Sequence, residues 1–288
     1  MDERSDKGVS VMVVENASPE LEPGQGLFDV ARYCLLLRNP EQKVAATLLA
    51  AQRWAQGDYP LAGSSLIEPV PDPGRPERPH LVTNHELPMR RLGSQEGHAA
   101  FMHAIAHIEF NAINLAWDAV YRFRDLPRGF YDDWVRIACE EASHFSLVQA
   151  YMQKLGFEYG SFDAHNNLWD MAVLTDDDVL RRMTLVPRVL EARGLDVTPG
   201  MMTRLQNQKY HDAVAILEVI YREEIGHVES GTRWFRYLCQ QRGIDDLQKF
   251  EELIDDWARH RIRPPINEQA RREAGFTQEE INYLYSLL

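Results

Sequence analysis

Two Glu-x-x-His tetrads, Glu141-Ala-Ser-His144 and Glu224-Ile-Gly-His227, each follow a further glutamate, Glu109 or Glu191, by about 32 residues. This repeat constrains the fold more than any other feature of the chain. Positions i and i+3 share a helix face, so each tetrad can present a carboxylate and an imidazole to one point. In an antiparallel helix pair, residues equidistant from the turn face each other. Glu109 and Glu141 are centred on position 125, at the break Arg124 to Gly129, and Glu191 and Glu224 are centred at the start of the polar run NQKYHD. A single tetrad carries little weight, because chance supplies about one in a chain of this composition, and a third, Glu77 to His80, sits among prolines. The registration of both pairs across two turns carries the argument.

Apolar residues recur at helical spacing from Ser94 to about Arg242, with punctuation at Leu126 to Gly129, Gly156 to Ser161 and Gly194 to Gly200. The pattern predicts an all-α chain with helices over about 94–124, 131–155, 176–208 with an interruption, and 210–242. Four long helices with one long connection between the second and third form a four-helix bundle. A hairpin turning at Gly194 to Gly200 would separate Glu191 from Glu224 by roughly 30 Å at 1.5 Å per residue. The turn is therefore expected near Asn207 to Asp212. Gly194 to Gly200 then becomes a break within the third helix, with Gly194 left-handed, Thr198 capping and Pro199 opening the resumed segment.

The flanks are helical as well. Residues 1–93 hold two helical stretches, GLFDVARYCLLL and PEQKVAATLLAAQRWAQGDY, then a crossing over 69–88 too rich in proline for a helix interior. The bundle is assigned to 94–242 and a short helical tail to 243–288, where Thr277 and Glu280 have capping-box spacing. Arg259, Arg261, Arg263, Arg271 and Arg272 make that tail locally basic, and a solvated face paired with acidic neighbours is expected. Overall, 31 basic against 44 acidic residues give a formal charge of −13, which disfavours general nucleic-acid binding. No window resembles a membrane span and the start lacks a secretory leader, so a cytoplasmic location is expected. Cys34, Cys139 and Cys239 read as reduced, buried thiols.

One Glu from each of two helices and Glu-x-x-His from each of the other two make the ligand set of a carboxylate-bridged dinuclear site inside a bundle. Glu109, Glu141, His144, Glu191, Glu224 and His227 are the expected ligands. Glu and His on exposed helix faces are ordinarily solvated, but here Trp134, Ile137 and Val148 share the face of Glu141, while Leu217, Ile220 and Gly231 share that of Glu224. Carboxylates on apolar stripes need a compensating charge. Four carboxylates and two imidazoles suit two iron ions, or an iron–manganese pair, better than zinc or copper(I). Trp134, Ile137, Thr184, Leu217, Ile220 and Gly231 are expected to line a substrate pocket, Gly231 by leaving room and Thr184 as a polar contact. His103 and His107 could form half a zinc site, but the remaining ligands are missing. No phosphate-binding loop or hydrolase nucleophile motif is present.

The segments GSQEGHAAFMHAIAHIEFNAINLAWD, FYDDWVRIACEEASHFSLV, LVPRVLEARGLDVTPG and LEVIYREEIGHVESGTRWFRYLC resemble, closely and in order, the bacterial ferritin-like family DUF455. The resemblance extends over most of the chain, including RPERPHLV and RPPINEQARREAGF. By that resemblance the six ligand candidates fill diiron positions in a ferritin-like four-helix bundle. The E-A-R of the third helix also resembles the diiron hydroxylases that modify tRNA. The implied activity is that of a diiron oxidoreductase, with O2 as cosubstrate, an external electron donor and an unidentified small organic substrate. The alternative is an iron-handling ferroxidase or O2-scavenging protein without an organic substrate. A cavity of several hundred Å³ reaching the ligands would favour the first, a narrow acidic path the second.

Overall fold

The computed structural model describes residues 21–288 apart from positions 23, 65 and 89; the expectation about a leader lies outside these residues. The chain is all-α. Two helices, α1 (Leu27–Leu36) and α2 (Pro40–Gln56), precede the proline-rich crossing, which is non-helical throughout. Asn39 caps α2 and Pro40 takes its first turn, where a missing N–H costs nothing. The long helices follow: α3 (Gln95–Arg122) and α4 (Arg128–Lys154), then, after the connection, α5 (Asn167–Leu174) and α6 (Val179–Leu185). A π-helical turn (Val186–Glu191) joins α6 to α7 (Ala192–Asn207), and α8 (His211–Arg242) returns. The tail forms α9 (Asp246–Trp257), α10 (Glu268–Glu273) and α11 (Gln278–Ser286), the last opened by the expected Thr277–Glu280 capping box.

Both hairpins turn where the glutamate registration requires. The first passes through Phe123–Pro127 with Asp125 left-handed (φ 62°), the second through Gln208–Tyr210 with Lys209 left-handed (φ 63°). α3 lies along α4, α4 along α8, and α8 along α7 and the π turn, whereas among the described residues α3 and α7 are not extensively packed against each other. α5 touches both α3 and the π turn and so closes part of that last seam. α1 covers α3 and α2 covers α4. Lys43 of α2 is fully buried, its ammonium giving its three protons to the carbonyls of Cys34 and Leu35 and to Asn114 Oδ1 at 2.6–2.8 Å. Asp118 is equally buried between Arg122 and Arg182, each at 2.7 Å, which ties α3 to α6. A single connected apolar core extends from Leu21 to Leu284. Cys34 and Cys239 are buried, Cys139 is partly so, and all are free.

The third helix differs from expectation. α7 continues through Gly194, Thr198, Pro199 and Gly200 without a break, and neither glycine is left-handed. Pro199 cannot donate to the carbonyl of Leu195, four residues back, and an interior proline would ordinarily kink the helix there. The amide Nδ2 of Asn267, from the tail, donates to that carbonyl at 3.1 Å instead. The irregularity lies earlier, in the π turn containing Pro187, whose ring rests against Gly231 of α8. Such insertions of one residue into a helix are frequent at functional sites, and this one ends at Glu191. The tail is bolted to the same stretch: Arg188 to Glu280 at 2.5 Å, Asp196 to Arg271 at 2.7 Å, and Arg193 to three carbonyls of residues 263–265. Arg271 is thus buried rather than part of a solvated face, while Arg259 and Arg272 pair at the surface with Asp255 and Glu268.

Candidate metal centre and adjoining cavity

The four helix segments bring the expected ligands to one place. One ligand atom from each of Glu109, Glu141, His144 and Glu224 lies within 4.8 Å of the others. His144 Nδ1 is 3.2 Å from Glu109 Oε2 and 3.4 Å from Glu141 Oε2. His227 Nδ1 is 2.9 Å from the other oxygen of Glu141 and 3.5 Å from Glu224 Oε1. The two rings stand 5.9 Å apart with Glu141 between them, the position from which a carboxylate can bridge two ions. Glu191, on the far side, interacts electrostatically with Glu224, Glu141 and His227.

The outer nitrogens of both imidazoles are held by carboxylates across the α4–α8 interface. His144 Nε2 donates to Glu223 at 2.8 Å, and His227 Nε2 donates to Glu140 at 2.7 Å. Each histidine therefore turns Nδ1 inward, as a histidine does when a second carboxylate fixes its tautomer beside a metal. The signal for these two residues is in the sequence: both tetrads are Glu-Glu-x-x-His, and the extra glutamate of each helix serves the histidine of the other. Reading only Glu-x-x-His passes over it.

The donor set fits a pair of hard divalent cations. Both oxygens of Glu141, Oε2 of Glu191 and Nδ1 of His227 are buried without a hydrogen bond among the described residues, although several lie close together. Such groups crowd one buried space, His227 Nδ1 and Glu141 Oε1 within 2.9 Å, and leaving them without a shared counter-charge is costly. Burial and neighbouring carboxylates hold Glu109 and Glu191 well above the ordinary carboxylate range, and Glu224 is raised by burial and Glu141. Burial would raise Glu141 too, but His144 and His227 outweigh it and hold it low. Burial would lower the imidazoles, yet the carboxylates push His144 up to about 11 and His227 well above its usual value. Protons balance the charge here, as two cations would.

A cavity of about 600 Å³ opens in the unpacked seam between α3 and α7. Its walls include Glu109, Glu191 and Glu224 together with Ile105, Ala112, Leu115, Val189, Leu190 and Met201. Of the expected pocket residues, Leu217 and Ile220 line it; Trp134, Ile137, Thr184 and Gly231 do not. Those four are buried away from the cavity, Trp134 and Ile137 on α4, Thr184 on α6, and Gly231 on α8, where a Cβ would overlap the Pro187 ring of the π turn. Thr184 is spent on the carbonyl of Leu180, four residues back, as helical threonines often are. The threonine and glycine on the cavity wall are Thr198 and Gly194. Arg261 and Arg263 of the tail also line it, together with His260.

His103 and His107 are occupied elsewhere. His103 Nε2 accepts from the Gly160 N–H at 3.0 Å, and His107 meets Tyr159 and the carbonyl of His165, each at 2.9 Å. Burial lowers both to about 4, so they remain neutral. Among the described residues no helix is long and apolar enough to cross a membrane.

Comparison with known proteins agrees on kinship. The family described as "Protein of unknown function (DUF455)" matches residues 36–282, which contain all six clustered residues. An uncharacterized protein of Haemophilus influenzae is 47% identical over 219 residues, covering 74% of this chain and 76% of that one. No solved structure matches. With α2 to α10, both tetrads and most of its length inside that match, the chain belongs to the DUF455 family.

Proposed function

We propose that this protein is a ferritin-like, carboxylate-bridged diiron oxidoreductase that uses O2 to oxidise a small organic substrate. The observation that carries the reading is the cavity: three of the four clustered carboxylates form its inner wall, and the remainder of the wall is largely apolar. Iron handling alone needs a narrow acidic path for ions, not a cavity of about 600 Å³ with an extensive apolar wall beside the ligands. Glu109, Glu141 and His144 would hold one ion, and Glu191, Glu224 and His227 the other, with Glu141 shared. Two iron ions bound there would supply the capacity to reduce O2, with electrons from an external donor.

The chain's own residues do the rest. Glu140 and Glu223 keep the imidazoles in one tautomer, so that Nδ1 is a free donor at the centre. The packed α4–α8 side excludes water from one half of the site, and the apolar wall excludes it from the other once a substrate fills the cavity. The π turn sets the angle at which Glu191 leaves the third helix.

Metal analysis tests the reading directly. Aerobically purified protein is expected to contain iron, or iron with manganese, near two ions per chain, and Glu141→Gln is expected to lose most of it. Iron-loaded protein supplied with a reductant should then consume O2 faster when a fitting organic compound is added. Protein purified without iron, manganese or zinc would overturn the proposal.

A further inference from the structure

We propose that the cavity admits an organic anion with an apolar body, its charged end held at the outer wall by Arg261 and Arg263 and its apolar end beside Gly194 and the carboxylates. The proposal rests on the preceding reading of the site, and adds the class of molecule that enters it.

The outer wall of the cavity carries arginine in an otherwise acidic protein: Arg263 is exposed and Arg261 half-buried, whereas the clustered carboxylates lie deeper. Arg261 and Arg263 line the cavity, and neither has a carboxylate partner among the described residues. Nε of Arg261 is buried there without a hydrogen bond. Other arginines of the tail are matched: Arg259 by Asp255, Arg271 by Asp196, Arg272 by Glu268. Acidic residues outnumber basic ones by 44 to 31, so a partner for two more arginines was readily available. Arg263 Nε donates to the carbonyl of His260 at 3.3 Å, and the guanidinium N–H groups left open beside the cavity suit a carboxylate or phosphate ester. The backbone that carries them is held in place, because Arg193 donates to the carbonyls of Arg263 (2.7 Å), Pro264 (3.1 Å) and Pro265 (2.9 Å).

The inner end is cleared for an apolar body. Gly194 stands three positions after Glu191, on the same helix face, and forms part of the cavity wall. Its backbone is helical and a Cβ built there would meet no atom within 4 Å, so neither conformation nor packing requires a glycine. Glycine inside a helix is less favourable than alanine, because it has more backbone freedom to lose. Open space beside Glu191 is what that glycine leaves. A nucleic acid, by contrast, needs a track of cations for successive phosphates. Here the two unpaired arginines stand on the wall of one cavity in a chain of charge −13, with no such track.

Calorimetric titration of the full-length protein with decanoate, decyl phosphate and decanol tests this. Both anions are expected to bind at least tenfold more tightly than decanol, and the tighter of the two identifies the head group. The double variant Arg261→Gln/Arg263→Gln should weaken the anions at least tenfold and leave decanol unchanged, while Arg259→Gln should change nothing. Gly194→Phe should abolish binding of all three with melting temperature and metal content retained; Val197→Trp, on the same wall, is the second blocking variant. Equal affinity for decanol and decanoate, or anion binding indifferent to the double variant, would overturn the proposal. So would transfer RNA binding that requires Arg261 and Arg263 in a protein that ignores decanoate. Iron-loaded protein that binds neither anion removes this inference alone, whereas anion binding by protein that takes up no metal removes the diiron reading and leaves the cavity's specificity standing.

Discussion

Gly231 and Gly194 both lie within two helical turns of a clustered glutamate, and they answer opposite demands. Gly231, on α8, is the floor on which the Pro187 ring sits; the structure has no room for even a methyl group there. Gly194, on α7, faces nothing within 4 Å. The contrast extends to the two sides of the bundle. Around α8 the packing is dense: Phe130 of α4 meets Trp234 edge to face and Trp134 at a tilt, and the π turn presses its proline against Gly231. On the α3–α7 side the helices stand apart and a cavity separates them. The same six residues therefore meet a rigid wall on one side, which fixes their geometry, and an open space on the other, which gives access to them.

The largest expected effect tests the rigid wall. Gly231→Ala forces a Cβ into the Pro187 ring, and overpacking of this kind costs about 1–3 kcal/mol, more for Gly231→Leu. Denaturant unfolding of the metal-free protein should show the loss for both variants, while Gly194→Leu stays within about 1 kcal/mol of the parent. Equal tolerance at the two positions would mean that the two sides of the bundle do not differ in packing as described.

A second prediction concerns the interface that joins the histidines to the rigid side. Glu140→Gln and Glu223→Gln each replace the carboxylate behind one imidazole, and loss of such a partner lowers metal affinity by about 10–100-fold. Competition with a chelator measures it. If Glu140 and Glu223 merely tie α4 to α8, the variants will melt earlier with metal affinity intact, which is the outcome that rejects the positioning role.

The hairpins were legible because they depend on counting: the midpoints of Glu109–Glu141 and Glu191–Glu224 fall at turns that also carry Asp125 and Lys209 in left-handed conformations. The break in the third helix was misplaced for a reason no local rule contains. Gly194 and Pro199 look like punctuation, but Asn267, far along the chain, supplies the hydrogen bond that Pro199 withholds. Pro187 disturbs the helix instead, and what accommodates its ring is a glycine on another helix. Of the six expected pocket residues only Leu217 and Ile220 line the cavity, for a related reason. Helix faces tell which side chains point inward, so Trp134, Ile137 and Thr184 are indeed buried, but they do not tell which seam of a bundle is left open. That is decided by α5, which covers only part of the α3–α7 seam, and by the tail segment that roofs the remainder.

The smallest expected effect separates the two glycines most cleanly, because its sign differs. Gly194 sits in a regular helix with ordinary helical dihedrals, so alanine there should restrict the unfolded chain and improve helix propensity without meeting a neighbour. Gly194→Ala is expected to stabilise the protein by about 0.5–1 kcal/mol. The added methyl group projects beside Glu191 into the cavity, so decanoate should bind several-fold more weakly to the more stable protein. A stabilised variant that binds worse would mean that the glycine is kept for access at the expense of stability. A destabilised one would show that the helix needs glycine at 194 for its own sake, and would leave Arg261 and Arg263 to define the cavity's ligand without it.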